Sequence, residues 1–295
     1  MDNVIWEELS YYKHLVLNEL DRKKYPTEVF GTAETLDAIR EEKYSLSRFG
    51  DGEFDLIFGK DLKFQKYDPR LGEKLKAILA ETPQSDPCKV AVPRVFQSLK
   101  GMTHDSRKFW SLYLLENRHK IHTLLNPQYH YYDAQVTRIY VNRKDKMASC
   151  GYFDQWKALW RGQDILLVEG VSSRFGAGND LFEAASSVKR ILCPAQNAFD
   201  HYDEIFDTVT RLGKQKLVLL VLGPTATALA YDLSHQGIWA VDSGNLDMEY
   251  EWSKIHAKKQ VAIQGKYTHE AENGTRVSRI CDSGYEAQII ARIGV

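Results

Sequence analysis

Two stretches of this chain, "ILLV" at 165–168 and "LVLLVL" at 217–222, are apolar at every position. A strand with one wet face alternates apolar and polar residues, so runs without a polar position belong to the middle of a sheet covered on both faces. Around them, short runs such as "YSLSRF", "KVAVPRV", "AQVTRIYV", "KRILCP" and "WAVDSG" alternate with helix-like stretches such as "RKFWSLYLLENRHKIHTLL", "NDLFEAASSV", "YDEIFDTVTRLG" and "TATALAYDLSHQG". That order predicts an α/β, Rossmann-like and mostly parallel sheet with helices on both faces.

The first 44 residues read as a helical segment packed on that core. Ile5, Leu9, Tyr12, Leu15, Val16 and Leu20 fall on one stripe, and Thr32 stands as a cap for a second helix over "TAETLDAIREEK". With no repeat, low-complexity tract or Pro/Gly/Ser linker, the expectation is a single domain over 1–295. The tail from about residue 265 has no firm period and is left unassigned.

Composition removes several classes of function. Lys and Arg number 39 against 40 Asp and Glu, so no overall field draws the chain to nucleic acid or an anionic membrane. Four scattered cysteines lack zinc or redox spacing, the start "MDNVIWEELS" is acidic where a secretory signal is basic, and the apolar runs are too short to span a bilayer. The reading is a cytoplasmic protein with no membrane span, in which any anion is met locally.

In an open parallel sheet, ligands bind outside the carboxyl ends of the strands, so the turns after the strands carry the chemistry. Four stand out. In "RFGDGEF", Gly50 and Gly52 flank Asp51, and Glu53 follows two residues on. Two carboxylates at roughly 4 Å repel by about 4 kcal/mol at an effective dielectric near 20, so a cation belongs between them. A hard divalent ion, Mn2+ or Mg2+, or the neighbouring Arg48, supplies it; a solvated acidic turn is the alternative. In "DILLVEGVSSRFGAGNDLFEAA", Glu169 ends a strand, and a loop with Ser172, Ser173, Arg174 and Gly178 leads to a helix expected to open at Asn179 or Asp180 with a capping box to Glu183. Such a loop cradles phosphate or is simply a tight connection. It lacks the third glycine of a dinucleotide fingerprint and the G-K-[ST] of a P-loop.

The third turn, "GPTATALAYDL", starts a helix at Thr225 or Thr227. The fourth, "WAVDSGNLDMEYEW", follows Asp242 with Asp247, Glu249 and Glu251 alternating with Leu246, Met248, Tyr250 and Trp252. Read as an extended segment, one row is buried and the other faces the site, which suits Asp247 or Glu249 as a general base. Arg94, after "KVAV", either faces a phosphate or makes an ordinary surface ion pair.

"RFGDGEF", "EGVSSRFGAGNDLF", "GPTATALAYDL" and "DSGNLDMEYEW", in that order between about Ser45 and Trp252, resemble the motifs of the GT-D type glycosyltransferases, first catalogued as DUF1792. The resemblance implies a Rossmann-like domain that transfers a hexose, glucose in relatives, from a uridine diphosphate (UDP) sugar to a glycan or glycopeptide acceptor on a bacterial surface adhesin. It implies that Asp51 and Glu53 serve the metal and the donor, with other transferases of the same pathway as partners. Relatives commonly carry a histidine in the turn where this chain has Asn245. The same residues also suit a metal-dependent phosphoesterase acting on nucleotide sugars, or a non-catalytic sugar-nucleotide binder.

Overall fold

The structure, a computed structural model, describes residues 2–277 and 281–295, with side chains from residue 8 onward in the first helix. In chain order the elements are α1 (Asp2–Lys24), α2 (Thr32–Glu41), β1 (Ser45–Arg48), α3 (Asp51–Ile57), α4 (Pro69–Glu81), β2 (Cys88–Val92), α5 (His104–Leu124), β3 (Tyr132–Asp133), α6 (Lys146–Leu159), β4 (Asp164–Gly170), β5 (Ser187–Cys193), α7 (Tyr202–Leu212), β6 (Leu217–Val221), α8 (Pro224–Ser234), β7 (Trp239–Asp242), α9 (Leu246–Lys254), α10 (Ser283–Gln288) and β8 (Ile289–Arg292). The strands form one sheet in the order β3-β2-β1-β7-β6-β4-β5-β8, and every ladder in it is parallel.

The doubly apolar runs sit where their composition requires. Ile165, Leu167, Leu217 and Leu219 face the layer that holds Trp156 of α6, Trp160 just beyond it and Trp252 of α9, while Leu166, Val168, Val218 and Leu220 face α7 and α8. All eight strand residues are 0% exposed, so neither face could carry a polar side chain without leaving it unpaired. The chain leaves β3 at one edge and re-enters at β4 on the far side of β7 and β6, so the order of winding reverses over the centre of the sheet. A crevice opens at such a reversal.

Several expectations are corrected. The first helix forms, but the stripe expected to cover the core does not: Leu9, Tyr12, Val16 and Leu20 are exposed and Leu15 is half-buried, while the Ile5 side chain lies outside the described residues. The helix docks on α5 through another face, with Tyr11 and Asn18 buried. The cap of α2 is Gly31, whose N–H donates to the Glu34 carboxylate at 2.6 Å, and Thr32 is the first helical residue. The run "AQVTRIYV" is not a strand. Asp133 accepts from the Gln135 N–H at 2.8 Å and turns the chain into a short 3-10 segment, Ala134–Thr137, after two residues of pairing. Finally, α10 and β8, which close the sheet beyond β5, come from the tail that sequence periodicity left blank.

The helix expected from Asn179 or Asp180 is absent, and residues 171–186 form a series of turns. Ahead of it, Arg174, Gly176 and Gly178 have φ of 49°, 69° and 77°, left-handed positions that coil the loop, and β5 takes up the chain at Ser187, inside the run expected to be helical. The segment is anchored by Phe175 and Leu181, both buried, and Asp180 spends its carboxylate on Lys157 at 2.7 Å and Lys254 at 3.2 Å instead of a cap.

Candidate active site

A pocket of about 350 Å³ opens along the carboxyl ends of the central strands. Arg48 closes β1, Gly170 ends β4, Pro194 and Ala195 follow β5, Val221 ends β6, and Asp242 ends β7; each contributes to its wall. The D-x-E segment is the first turn of α3 and not an irregular turn. Gly50 is its cap: the Gly50 N–H donates to Glu53 Oε2 at 2.6 Å, the reciprocal arrangement that satisfies a free helix donor. Asp51 and Glu53 therefore line the pocket from a fixed helix start.

Among the described residues, two acids on the pocket wall lack an ion pair, a state that Glu249 of α9 shares outside the pocket, where burial raises it to about 7. Arg48 donates from Nη2 to Asp242 Oδ1 at 2.7 Å and from Nε to the Asp242 carbonyl at 2.7 Å, and its Nη1 reaches Ala134 O and Thr137 Oγ1. Arg138 pairs with Glu270 at 2.7 Å, and Asn245 donates to the same carboxylate. Asp51 and Glu53 have no ion-pair partner among the described residues. Burial raises the pKa of Asp51, opposed by the Arg138 charge. Burial, reinforced by the Asp242 charge, pushes Glu53 up to about 7. Asp242 is likewise raised by burial, against the pull of Arg48. Arg48 is thus a clamp between β1, β7 and the 134–137 turn, with most of its donors spent inside the protein. Gly244 has to be glycine, because a Cβ there would fall 2.0 Å from Arg48 Nη2.

Of the remaining sequence candidates, Ser173 reaches the pocket wall and the others do not. The Ser172 carbonyl holds the Tyr267 N–H at 3.0 Å. Glu169 is fully buried and paired with Arg190 at 2.5 Å, Arg174 turns to Asp282 at 3.2 Å and stacks over Tyr285, and Gly178 lies away from the pocket in the turns. Asn179 Nδ2 donates to Asp247 and Glu251, and Thr225 is fully buried one residue inside a helix capped by Gly223. Asp247 and Glu249 are buried on a helix, α9, and not on an extended segment. Asp247 is 2.5 Å from Lys266, and Glu249 Oε2 accepts from the N–H groups of Tyr140 and Val141. Both hold neighbouring segments in place outside the pocket. Arg94 lies in a different cleft.

Sequence reasoning missed Phe64, Arg138, His269 and Glu270. His269 packs on Phe64 with ring centroids 4.6 Å apart, and burial lowers its pKa. These residues sit on segments without period, and the pairing of Arg138 with Glu270 spans 132 positions.

The two carboxylates suit a hard dication. Both line the pocket without an ion pair among the described residues, and Glu53 keeps Oε1 free of the capping bond. Among the described residues, no three His, Cys, Asp or Glu side chains converge on one point. An ion there would complete its shell with water and ligand phosphates, the usual habit of Mg2+.

Residues 46–271 match the family model described as the glycosyltransferase GT-D fold. The chain is 36% identical to a probable glycosyl transferase, Gly, of Streptococcus gordonii over 265 residues, and 36% identical to the glycosyltransferase GlyD of Streptococcus pneumoniae serotype 4 over 266. Each match covers 90% of this chain but 39% and 32% of those longer proteins. A solved structure described as domain of unknown function 1792 with a distinct glycosyltransferase fold superposes with a TM-score of 0.86 at 37% identity, covering 92% of this chain and 98% of that one. A DUF1792 glycosyltransferase from Streptococcus sanguinis superposes at 0.85 and 37%, covering 91% and 100%.

Proposed function

Because the chain belongs to the GT-D-fold glycosyltransferase family, we propose that it transfers a hexose, glucose first among the candidates, from a UDP-sugar to a hydroxyl of a glycan or glycopeptide. The observation that carries the reading is the unpaired acid pair. A diphosphate entering the pocket meets two carboxylates that no ion pair among the described residues neutralises, and a divalent cation, Mn2+ or Mg2+, held by Asp51 and Glu53 offsets that repulsion. When bound, such an ion offsets the charge that the diphosphate gains as the sugar leaves.

The chain's own residues supply the rest. The capping bond to Gly50 fixes the Glu53 carboxylate, and the Arg48 clamp fixes Asp242 beneath it. Arg138, held protonated by Glu270 and Asp51 against the cost of burial, presents positive charge at the pocket wall. The Phe64 and His269 rings, tilted 35° to each other, offer ring faces on which a nucleobase can stack. With Asp247 and Glu249 outside the pocket, the imidazole on its wall that burial keeps in the free-base form is His269, and we assign it the acceptor hydroxyl proton if configuration inverts.

The test is a screen of UDP-sugars with Mn2+ or Mg2+, following UDP release with and without a glycosylated peptide. Release that depends on acceptor and metal is expected. Equal release without acceptor would turn the reading to a phosphoesterase, and tight donor binding without consumption would turn it to a binding protein. The screen has a pH signature. Glu53 takes a proton as pH falls through about 7, and a proton competes with the cation, so the metal concentration for half-maximal rate is expected to rise below pH 7 and level off above it. A metal requirement flat from pH 5.5 to 8 would count against Glu53 as a ligand.

A further inference from the structure

Arg94, expected near the donor phosphates, lines a second cleft of about 580 Å³ on the other side of Gln135, which contributes to both walls. Arg94 and Lys100 are exposed on the segment after β2, Arg22 comes from α1, and Arg143 precedes α6. The cleft continues into a groove that reaches Arg107 and Arg118 of α5. Six cationic side chains thus meet one acid in the lining, Glu19, and Arg22 already holds that acid at 2.5 Å. Behind the wall, Asp133 meets Arg143 at 3.4 Å. In a chain of formal net charge −1, this is a marked local concentration of positive charge.

A second observation points to a missing acceptor. The Nε–H groups of Arg107, Arg118 and Arg143 are buried without a hydrogen-bond partner. Arg118 is 5% exposed and gives one Nη1–H to the Phe96 carbonyl at 2.8 Å. Leaving a buried charged donor unmet is costly, and guanidinium groups along the cleft and its groove whose donors are not all spent inside the protein have capacity for an acceptor from outside the chain. A single carboxylate brings too little charge to balance the lining. A phosphate or diphosphate brings both the charge and the oxygens that match guanidinium forks.

We propose that this cleft binds a small phosphate-bearing molecule, separately from the donor pocket. The proposal does not rest on sugar transfer. It is tested by calorimetric titration of the full chain with inorganic pyrophosphate in chelator. One pyrophosphate per chain is expected, with affinity at least tenfold weaker in Arg94→Ala/Lys100→Ala. Both replaced side chains are exposed, so the fold survives. Lys63→Ala, at the exposed lip of the donor pocket, is expected to bind as the unmodified protein does. No uptake at millimolar pyrophosphate, unchanged affinity in the double variant, or an equal loss in Lys63→Ala would each overturn the proposal.

Discussion

Glu53→Gln is expected to lower sugar transfer at pH 7.5 by at least about a hundredfold while leaving the folded protein as stable as before, or more so. Glutamine keeps an oxygen that accepts the Gly50 N–H, so the start of α3 survives. What disappears is a charge that burial and Asp242 oppose. The linkage has a definite sign. A carboxyl whose folded pKa lies near 7, above its ordinary 4.5, costs stability as pH rises from about 4.5 through 7. Removing it relieves that cost above neutrality. Asp51→Asn should follow the same pattern, because burial raises that carboxyl too. Initial rates with thermal melts at pH 5 and 8 check both halves. Full activity in either variant would reject the metal role, and a collapsed fold would show that the acids are structural.

The opposite outcome is expected for Glu169, the penultimate residue of β4. Arg190→Met is expected to destabilise the chain by about 3–5 kcal/mol, because it strands a carboxylate that is 0% exposed and holds both Arg190 and the Phe175 N–H. Glu169→Ala should cost a similar amount by stranding the arginine, which also carries the Phe175 carbonyl at 2.9 Å and Gln288 at 2.6 Å. The double variant Glu169→Leu/Arg190→Met should recover much of the loss, since neither charge is then left alone. Urea denaturation of the three variants measures this. Small additive losses would mean that the pair does not anchor the 171–186 turns.

These two acids show what a sequence of this kind reveals. The sheet was legible because strands buried on both faces have no polar position, and "ILLV" and "LVLLVL" leave no other reading. The D-x-E stood out as two like charges two apart after a strand, and both of its acids line the pocket. By contrast, Asp247 and Glu249 alternate with apolar residues like a strand, yet they lie on α9 with both kinds of side chain buried. Lys266, from the unassigned tail, pairs with Asp247, and the 140–141 amides hold one oxygen of Glu249, whose carboxyl burial raises to about 7. Glu169 was misplaced for a related reason: its partner, Arg190, comes from the neighbouring strand, 21 residues away. Long-range pairing decides whether a buried acid serves chemistry or structure, and local pattern carries no trace of it. The loop at 171–186 failed in another way, because Asp180, read as a helix cap, pairs with Lys157 and Lys254 and the residues after it run into β5.

The central claim is that a divalent ion on Asp51 and Glu53 receives the diphosphate of an activated sugar in the pocket above β1 and β7. Diffraction from crystals soaked with Mn2+ and UDP-glucose, recorded at a wavelength where manganese scatters anomalously, tests it most directly. The account predicts an anomalous peak within ligating distance of both carboxylates, with the diphosphate completing the shell. A peak elsewhere, or a donor lodged in another cleft while both acids face solvent, would contradict it.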